Sequence, residues 1–216
     1  MGLANRKVLV RSPSSTTLLA AVLATVALCS PPVSPEARAT GWNEEPSRRQ
    51  IERLQRLEPY VRYFTSLSYG RNDARVPASY IRALILTESG GLEEARSGVG
   101  ARGLTQIMPS TGAAVVEDIV EEGRDYLYVD EAALGSFDAD DLYDPALNIL
   151  IACRLSAAYF SRYTGRTELV VAAWNAGPTA VAVHGNRPPP YRETRDLIAR
   201  VKGYMTYLEK ELTIVR

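Results

Sequence analysis

Two cysteines, one histidine and almost no strand-like alternation leave this 216-residue chain few routes to cross-links or metal sites. The cysteines are Cys29 and Cys153. If the N-terminal segment is removed, Cys153 stands alone and no internal disulfide can form, even in an oxidising compartment. His184 is the single histidine. Without a His/Cys cluster a catalytic zinc site is not expected, and the reading assigns no cofactor. A Gly-x-x-Gly run at Gly100–Gly103 lacks the Lys-Ser/Thr ending of a phosphate loop. The formal net charge is zero, so nothing points to a nucleic-acid partner. With 46% hydrophobic and 23% charged residues, the chain suits one folded domain plus extra segments. Its stability must come from an apolar core, which roughly 175 residues can build.

The one long apolar run, Leu18 to Leu28, is too short to span a bilayer easily. Arg6, Lys7 and Arg11 precede it, Pro31, Pro32 and Pro35 break it, and Ala37-Arg38-Ala39 supplies a small-residue cleavage pattern. Residues 1–39 therefore read as a signal peptide cleaved before Thr40, which places the rest of the chain in the periplasm or outside the cell. Lipidation at Cys29 and an uncleaved anchor are the rival readings; Leu28 is bulkier than the residue usually needed before a lipidated cysteine. Arg6, Lys7, Arg11, Arg38 and Glu36 leave with the segment. The 25 basic and 25 acidic residues then fall to 21 and 24.

Beyond the leader, residues 40–72 read as a lead-in plus a helix, with Ile51, Leu54, Leu57, Val61 and Phe64 on one face. Pro59 is expected to kink that helix or start a second one. A helix opens near Pro77 and stops at Gly90-Gly91. Another covers 110–122, with Ala113, Val116, Ile119 and Val120 on one side. Residues 121–144 form an acidic stretch with Arg124 as its only basic residue. It is expected to be a solvated surface excursion, because Asp138, Asp140 and Asp141 do not match the calcium-loop spacing. Asp144-Pro145 caps a helix bearing Asn148 and a buried Cys153. Residues 167–174 form a short apolar helix. The last helix carries Ile198, Val201, Tyr204, Met205 and Leu208. The fold class is mainly α, with little or no β structure.

One of these helices breaks a local rule. Ile81, Leu84, Ile85 and Glu88 follow i, i+3, i+4, i+7 spacing, so an apolar stripe ends in a carboxylate. Burial disfavours the charged form. The last helical turn also disfavours an anion. Both raise the pKa toward a value suited to a general acid. The structural alternative is a helix-end carboxylate that reaches water or pairs with an arginine.

The residues that follow tip the balance. After Glu88-Ser89 comes Ser97-x-x-Gly100-x-x-Gly103-Leu104-x-Gln106-x-Met108-Pro109. Then come Asp144-Pro145 with Asn148, Trp174-Asn175-Ala176-Gly177-Pro178, and Pro190-Tyr191-Arg192-Glu193-Thr194-Arg195. These four blocks, in this order, resemble the catalytic domain of soluble-type lytic transglycosylases, a lysozyme-like helical domain acting on peptidoglycan. On that resemblance 73–216 is the catalytic domain. Some positions depart from the pattern: Gly91-Leu92 after Glu-Ser-Gly, Gly98 for a frequent Pro, Thr105 for Met, Trp174 for Tyr, and Leu197 for Tyr. The last two are expected near the sugar cleft, bearing on binding preference more than on chemistry.

The resemblance implies cleavage of the β-1,4 bond between N-acetylmuramic acid and N-acetylglucosamine with one acid, Glu88, and a 1,6-anhydromuramoyl product. It further implies that Ser97, Gln106, Met108, Trp174, Asn175 and Glu193 contact substrate. Each has a structural alternative. Gln106 satisfies backbone groups at the glycine turn, Met108 belongs to the core, and Glu193 pairs with Arg195. Asn148 is expected to hold a neighbouring loop, and His184 to lie near the cleft rim. The implied partner is the peptidoglycan glycan strand, bound by a monomer; service to a cell-envelope machine is compatible, though no partner motif is visible. Two other classes stay open: a goose-type lysozyme-like hydrolase and a non-catalytic peptidoglycan-binding protein.

Overall fold

A computed structural model describes residues 45–70 and 72–214. The expected signal peptide, its cleavage site and Cys29 lie outside the described residues. Helix α1 spans Arg48–Ser66. It starts at a reciprocal cap, in which Ser47 N donates to Gln50 Oε1 at 2.8 Å and Gln50 N to Ser47 Oγ at 3.4 Å. Leu54, Leu57, Val61 and Phe64 are its buried stripe. Pro59 neither ends α1 nor divides it; it lies on the exposed side of one continuous helix.

Three helices form the interior. α2 (Ala78–Glu88) buries Tyr80, Ile81 and Ala83 through Thr87. It is enclosed on nearly every side, where the sequence indicates one buried stripe, because α1, α5 and α8 all pack on it. α5 (Pro145–Arg162) begins where Asp144 Oδ1 accepts from Leu147 N at 2.7 Å, with Pro145 at the first helical position. The eight residues after Pro145, Ala146 through Cys153, form an unbroken buried run. A helix apolar all round belongs in a core. α6 (Thr167–Ala176) has the same character over Leu169–Ala173.

Amphipathic helices close the sides. α3 (Pro109–Glu122) buries Val115, Val116 and Ile119, while Val120 is exposed. The expected face is therefore rotated toward Val115. α4 (Glu131–Gly135) and a 3-10 turn (Ala139–Tyr143) follow. α7 (Pro178–Val183) and α8 (Arg192–Ile214) complete the order, α8 lying along α2 and α6. Among the described residues the β pairing amounts to isolated bridges, such as Arg102 with Ile107. The mainly α expectation holds.

The acidic stretch is more than an excursion. Asp125, Asp130, Asp138 and Asp140 are exposed, but Tyr126, Leu134 and Leu142 are buried in the core. Tyr128 sets its ring edge-on to Tyr60 and Tyr63 of α1, at 5.1 and 5.3 Å between centroids. Arg124 Nη1 donates to Ser68 O at 3.0 Å. These contacts fold the stretch back onto α1. No group of three or more His, Cys, Asp or Glu side chains arranged to hold a metal occurs among the described residues.

Asn148 fixes the loop that joins α2 to α3. It is fully buried. Its Oδ1 accepts from Thr105 N at 3.0 Å and Thr105 Oγ1 at 2.7 Å. Its Nδ2 donates to Leu142 O at 2.8 Å and Arg102 O at 3.3 Å. The side chain thus holds the neighbouring loop, as the sequence indicates. Gly103 lies against it with φ +75°, and a Cβ there would fall 2.0 Å from Leu142 O and 2.4 Å from Asn148 Nδ2. Gly103→Ala is expected to cost on the order of 3 kcal/mol or more, combining a left-handed backbone with a clash against fixed groups. Gly98→Ala, with nothing within 4 Å of the added atom, should be close to neutral. Urea unfolding of the two variants is the check; equal stabilities would refute the packing argument.

Candidate active site

Glu88 is the last residue of α2, at the end where backbone carbonyls lack helical partners. The chain turns there on Gly90 and Gly91, both in the left-handed region. Ser89 Oγ donates to Leu104 O at 2.7 Å and accepts from Gly91 N at 3.1 Å. That serine fastens the end of α2 to the following loop. From the other side, Arg53 of α1 donates to Gly90 O at 3.3 Å. The position of Glu88 is therefore fixed by groups on both flanks.

Glu88 keeps partial solvent access, yet protein packs closely around its carboxyl. Burial raises its pKa from the ordinary 4.5 to about 7. The Arg200 guanidinium and a hydrogen bond from Trp174 oppose that rise, and the negative charge of Glu193 adds to it. Trp174 Nε1 donates to Glu88 Oε1 at 3.2 Å. The tryptophan in place of the usual tyrosine thus touches the acid itself. Leu197, the other departure, is buried with the core.

The loop opposite holds three of the expected residues. Ser97 is buried, and its Oγ accepts from Ala101 N at 2.9 Å. Gln106 is buried with φ +51°, an uncommon backbone for a side-chain-bearing residue. Its Nε2 donates to Gly103 O at 2.9 Å and Ala95 O at 3.1 Å, so its donors stabilise the glycine turn. Met108 is half-buried at the N-cap of α3. At the far end of α6, Asn175 Oδ1 accepts from Thr194 Oγ1 at 2.5 Å, joining α6 to the first turn of α8. Glu193 in that turn is exposed, and its charge reaches Glu88. His184 caps α7, with Nδ1 2.7 Å from Ala180 O and its ring edge-on to the exposed Tyr191 at 5.7 Å. A hollow of about 410 Å³ between α3 and α4 includes none of the residues around Glu88.

Trp174 thus meets Glu88 directly, Glu193 acts on it by charge, and Ser97, Gln106 and Asn175 have side chains engaged in holding the walls. Sequence reasoning missed Arg200. It is 5% exposed, and its Nη2 donates to Thr87 O at 2.9 Å. A signal was present. Arg200 stands seven residues after Glu193, inside the stripe of Leu197, Val201, Tyr204 and Leu208. A cation in an apolar stripe breaks the same rule as Glu88.

The raised pKa of Glu88 fixes the sign of its effect on stability. The folded state binds this proton more tightly than the unfolded state, so stability is unaffected below pH 4.5 and falls as pH rises toward 7. Glu88→Gln should therefore stabilise the protein above pH 7, by up to about 3 kcal/mol. The gain should vanish below pH 4.5. Thermal melts at pH 4 and pH 8 test this; a gain of equal size at both would show that Glu88 is not the titrating group.

The Transglycosylase SLT domain profile matches residues 68–190, which include Glu88, Gln106, Asn148 and Trp174. The soluble lytic murein transglycosylase of Escherichia coli (strain K12) is 28% identical over 144 residues, 61% of this chain and 20% of that protein. The crystal structure of the 70-kDa soluble lytic transglycosylase from Escherichia coli aligns with a TM-score of 0.56 and 26% identity, over 72% of this chain and 24% of that one. A complex of the 70-kDa soluble lytic transglycosylase with bulgecin A gives a TM-score of 0.57 at 24% identity, over 76% of this chain and 26% of that one, and supports the fold alone. The chain spans about a fifth to a quarter of the length of these relatives. With more than half of its residues inside the profile match, and the helical fold shared, the chain belongs to the Transglycosylase SLT domain family.

Proposed function

We propose that this chain is a peptidoglycan lytic transglycosylase that cleaves the N-acetylmuramic acid–N-acetylglucosamine β-1,4 bond with Glu88 as its single catalytic acid and base. The observation that carries this reading is the enclosed carboxyl of Glu88, with a pKa of about 7 and a hydrogen bond from Trp174. A group titrating near neutrality can both give and recover a proton. Glu88 protonates the glycosidic oxygen as the bond from that oxygen to C1 of the muramoyl residue breaks. Positive charge develops on the sugar. The Glu88 carboxylate then takes the proton of the muramoyl 6-hydroxyl, whose oxygen closes on C1. The product is a 1,6-anhydromuramoyl end, and no water is consumed.

Among the charged groups acting on Glu88, Glu193 is the other carboxylate. In the lytic reading it receives a substrate hydroxyl or amide. Its charge also favours a second reading, hydrolysis, in which it prepares a water molecule. The walls formed by the 95–107 loop and by Trp174 and Asn175 are the proposed saccharide subsites, with Met108 as an apolar surface and Ser97 and Gln106 behind it. The cleft is proposed to act on glycan strands outside the cytoplasm, consistent with the leader-like residues 1–39. No helix long and apolar enough to cross a membrane occurs among the described residues.

Mass spectrometry of products released from purified sacculi separates the readings. Anhydromuropeptides are expected, with EDTA tolerated; reducing-end products alone would mean hydrolysis. Activity should decline as pH rises through about 7, because the first step needs protonated Glu88. Glu88→Gln should lower turnover by ~10²–10⁴-fold or more, and Glu193→Gln by less. Near-normal activity of the first variant with loss in the second would transfer the acid role to Glu193.

A further inference from the structure

We propose that Arg49, Arg53 and Arg56 of α1 form an anion subsite that takes the carboxylates of the peptides branching from a peptidoglycan strand. The idea rests on the peptidoglycan-cleaving reading above and adds the part of the substrate that lies outside the cleft.

Helix α1 precedes residues 68–190, the span that the family profile matches. It carries five arginines and two glutamates. Both glutamates are already engaged. Glu52 Oε1 accepts from Arg48 Nε at 3.0 Å, and Glu58 accepts from Arg82 of α2 at 2.6 and 3.0 Å. Arg49, Arg53 and Arg56 enter no ion pair among the described residues. Standing at i, i+4 and i+7, they share one face of α1 and span about 10 Å along it. Arg49 and Arg56 are exposed, and Arg53 is half-buried.

This clustering works against the helix. Like charges at i, i+4 repel one another. Arg49 also lies in the first turn, at the positive end of the helix dipole, and no acidic residue stands in that turn. Helix stability therefore does not account for the three cations, and a broken local rule points to function. Nor do they reflect a generally basic chain, since basic and acidic residues number 25 each.

The place of the strip beside Glu88 indicates its ligand. Arg53 Nη1 donates to Gly90 O at 3.3 Å, while Glu58 meets Arg82 further back along α2. These contacts run α1 antiparallel to α2, with Arg49 beyond the end of α2 and Arg56 beside it. The approach is close: a Cβ on Gly91 would fall 2.9 Å from Arg53 Cβ, and one on Gly90 3.0 Å from Gln50 Nε2. Gly90 follows Glu88 by two residues, so their Cα atoms are at most about 8 Å apart. A strand whose scissile bond sits at Glu88 thus brings its muramoyl substituents within reach of the strip. Glu93 and Glu94, just after the turn, are exposed and form no ion pair with it. Guanidinium groups pair with carboxylates in a bidentate fork. Three of them over about 10 Å suit a peptide bearing several carboxylates better than the lone carboxyl of an unsubstituted muramoyl group.

The test is calorimetric titration of the full chain carrying Glu88→Gln, which prevents turnover, with soluble un-cross-linked strands in three forms. One bears its peptides. In the second the carboxyls are converted to amides with carbodiimide and ammonia. The third is stripped by an amidase, which leaves the lactyl carboxylate. Adding Arg49→Gln/Arg56→Gln should weaken binding to the peptide-bearing strands by about fivefold, and high salt should close that gap. The two proteins should bind the amidated and the stripped strands alike. Arg49→Lys/Arg56→Lys should retain most of the affinity for the peptide-bearing form. Equal weakening on all three strands, as a damaged fold would give, or no weakening on any overturns the proposal. A charge effect that persists on the stripped strands assigns the lactyl carboxylate and overturns the peptide assignment. Binding to phosphatidylglycerol vesicles that is lost in the same variant, with no effect on strands, assigns the strip to a membrane surface and also overturns it. Product analysis is a separate readout. Reducing-end products with carboxylate-dependent binding would sink the lytic reading alone, and anhydro products with carboxylate-indifferent binding would sink the strip alone.

Discussion

A carboxyl enclosed by protein at the carbonyl end of a helix is the constraint on which the rest of this structure depends. Burial and the α2 dipole both favour its neutral form. Holding it there requires neighbours on all sides: α1 through Arg53, the following loop through Ser89, α6 through Trp174, and α8 through Arg200. The near-complete burial of α2 is the packing counterpart of this arrangement. A surface helix with one apolar stripe would leave its terminal carboxyl in water, where it titrates as an ordinary acid.

The resulting acidity is a small difference between opposed effects. Desolvation and Glu193 push the pKa up, while Arg200 and Trp174 pull it down. Substitution at any of them shifts the balance without touching the acid. Trp174 enters this balance through its hydrogen bond to the carboxyl. An indole offers a proton donor and no acceptor, so its contribution has one sign only.

Local signals are legible in the sequence, and distant pairings are not. Asp144-Pro145 announces its helix start because the cap is built within four residues. The Glu88 helix and its glycine stop are likewise local. Trp174 and Glu88 are 86 residues apart, and Arg200 and Thr87 are 113 apart. No periodicity reports on such pairs; the motif order indicates that they share a site, not which atoms meet. The sequence pattern puts Val120 of α3 inward, whereas Val115 and Val116 are the buried valines, because the packing partners set the angle. Acidic composition hid the buried Tyr126, Leu134 and Leu142, since charge counts describe a segment's average and packing is decided by single side chains.

Asn148 has one more consequence. Its four hydrogen bonds span Arg102, Thr105 and Leu142, so the loop beside the acid is fixed relative to the central helix. Gln106, in its left-handed conformation, adds a second set of ties within the same loop. A wall held in this way is ordered before any saccharide arrives. The loop then has little backbone freedom left to lose on association, and on the proposed function the entropic cost of binding falls mainly on the flexible glycan. On that reading, discrimination among ligands shifts toward the stiffness of the sugar chain: a strand already extended in its bound form loses less conformational freedom than a flexible strand of the same length.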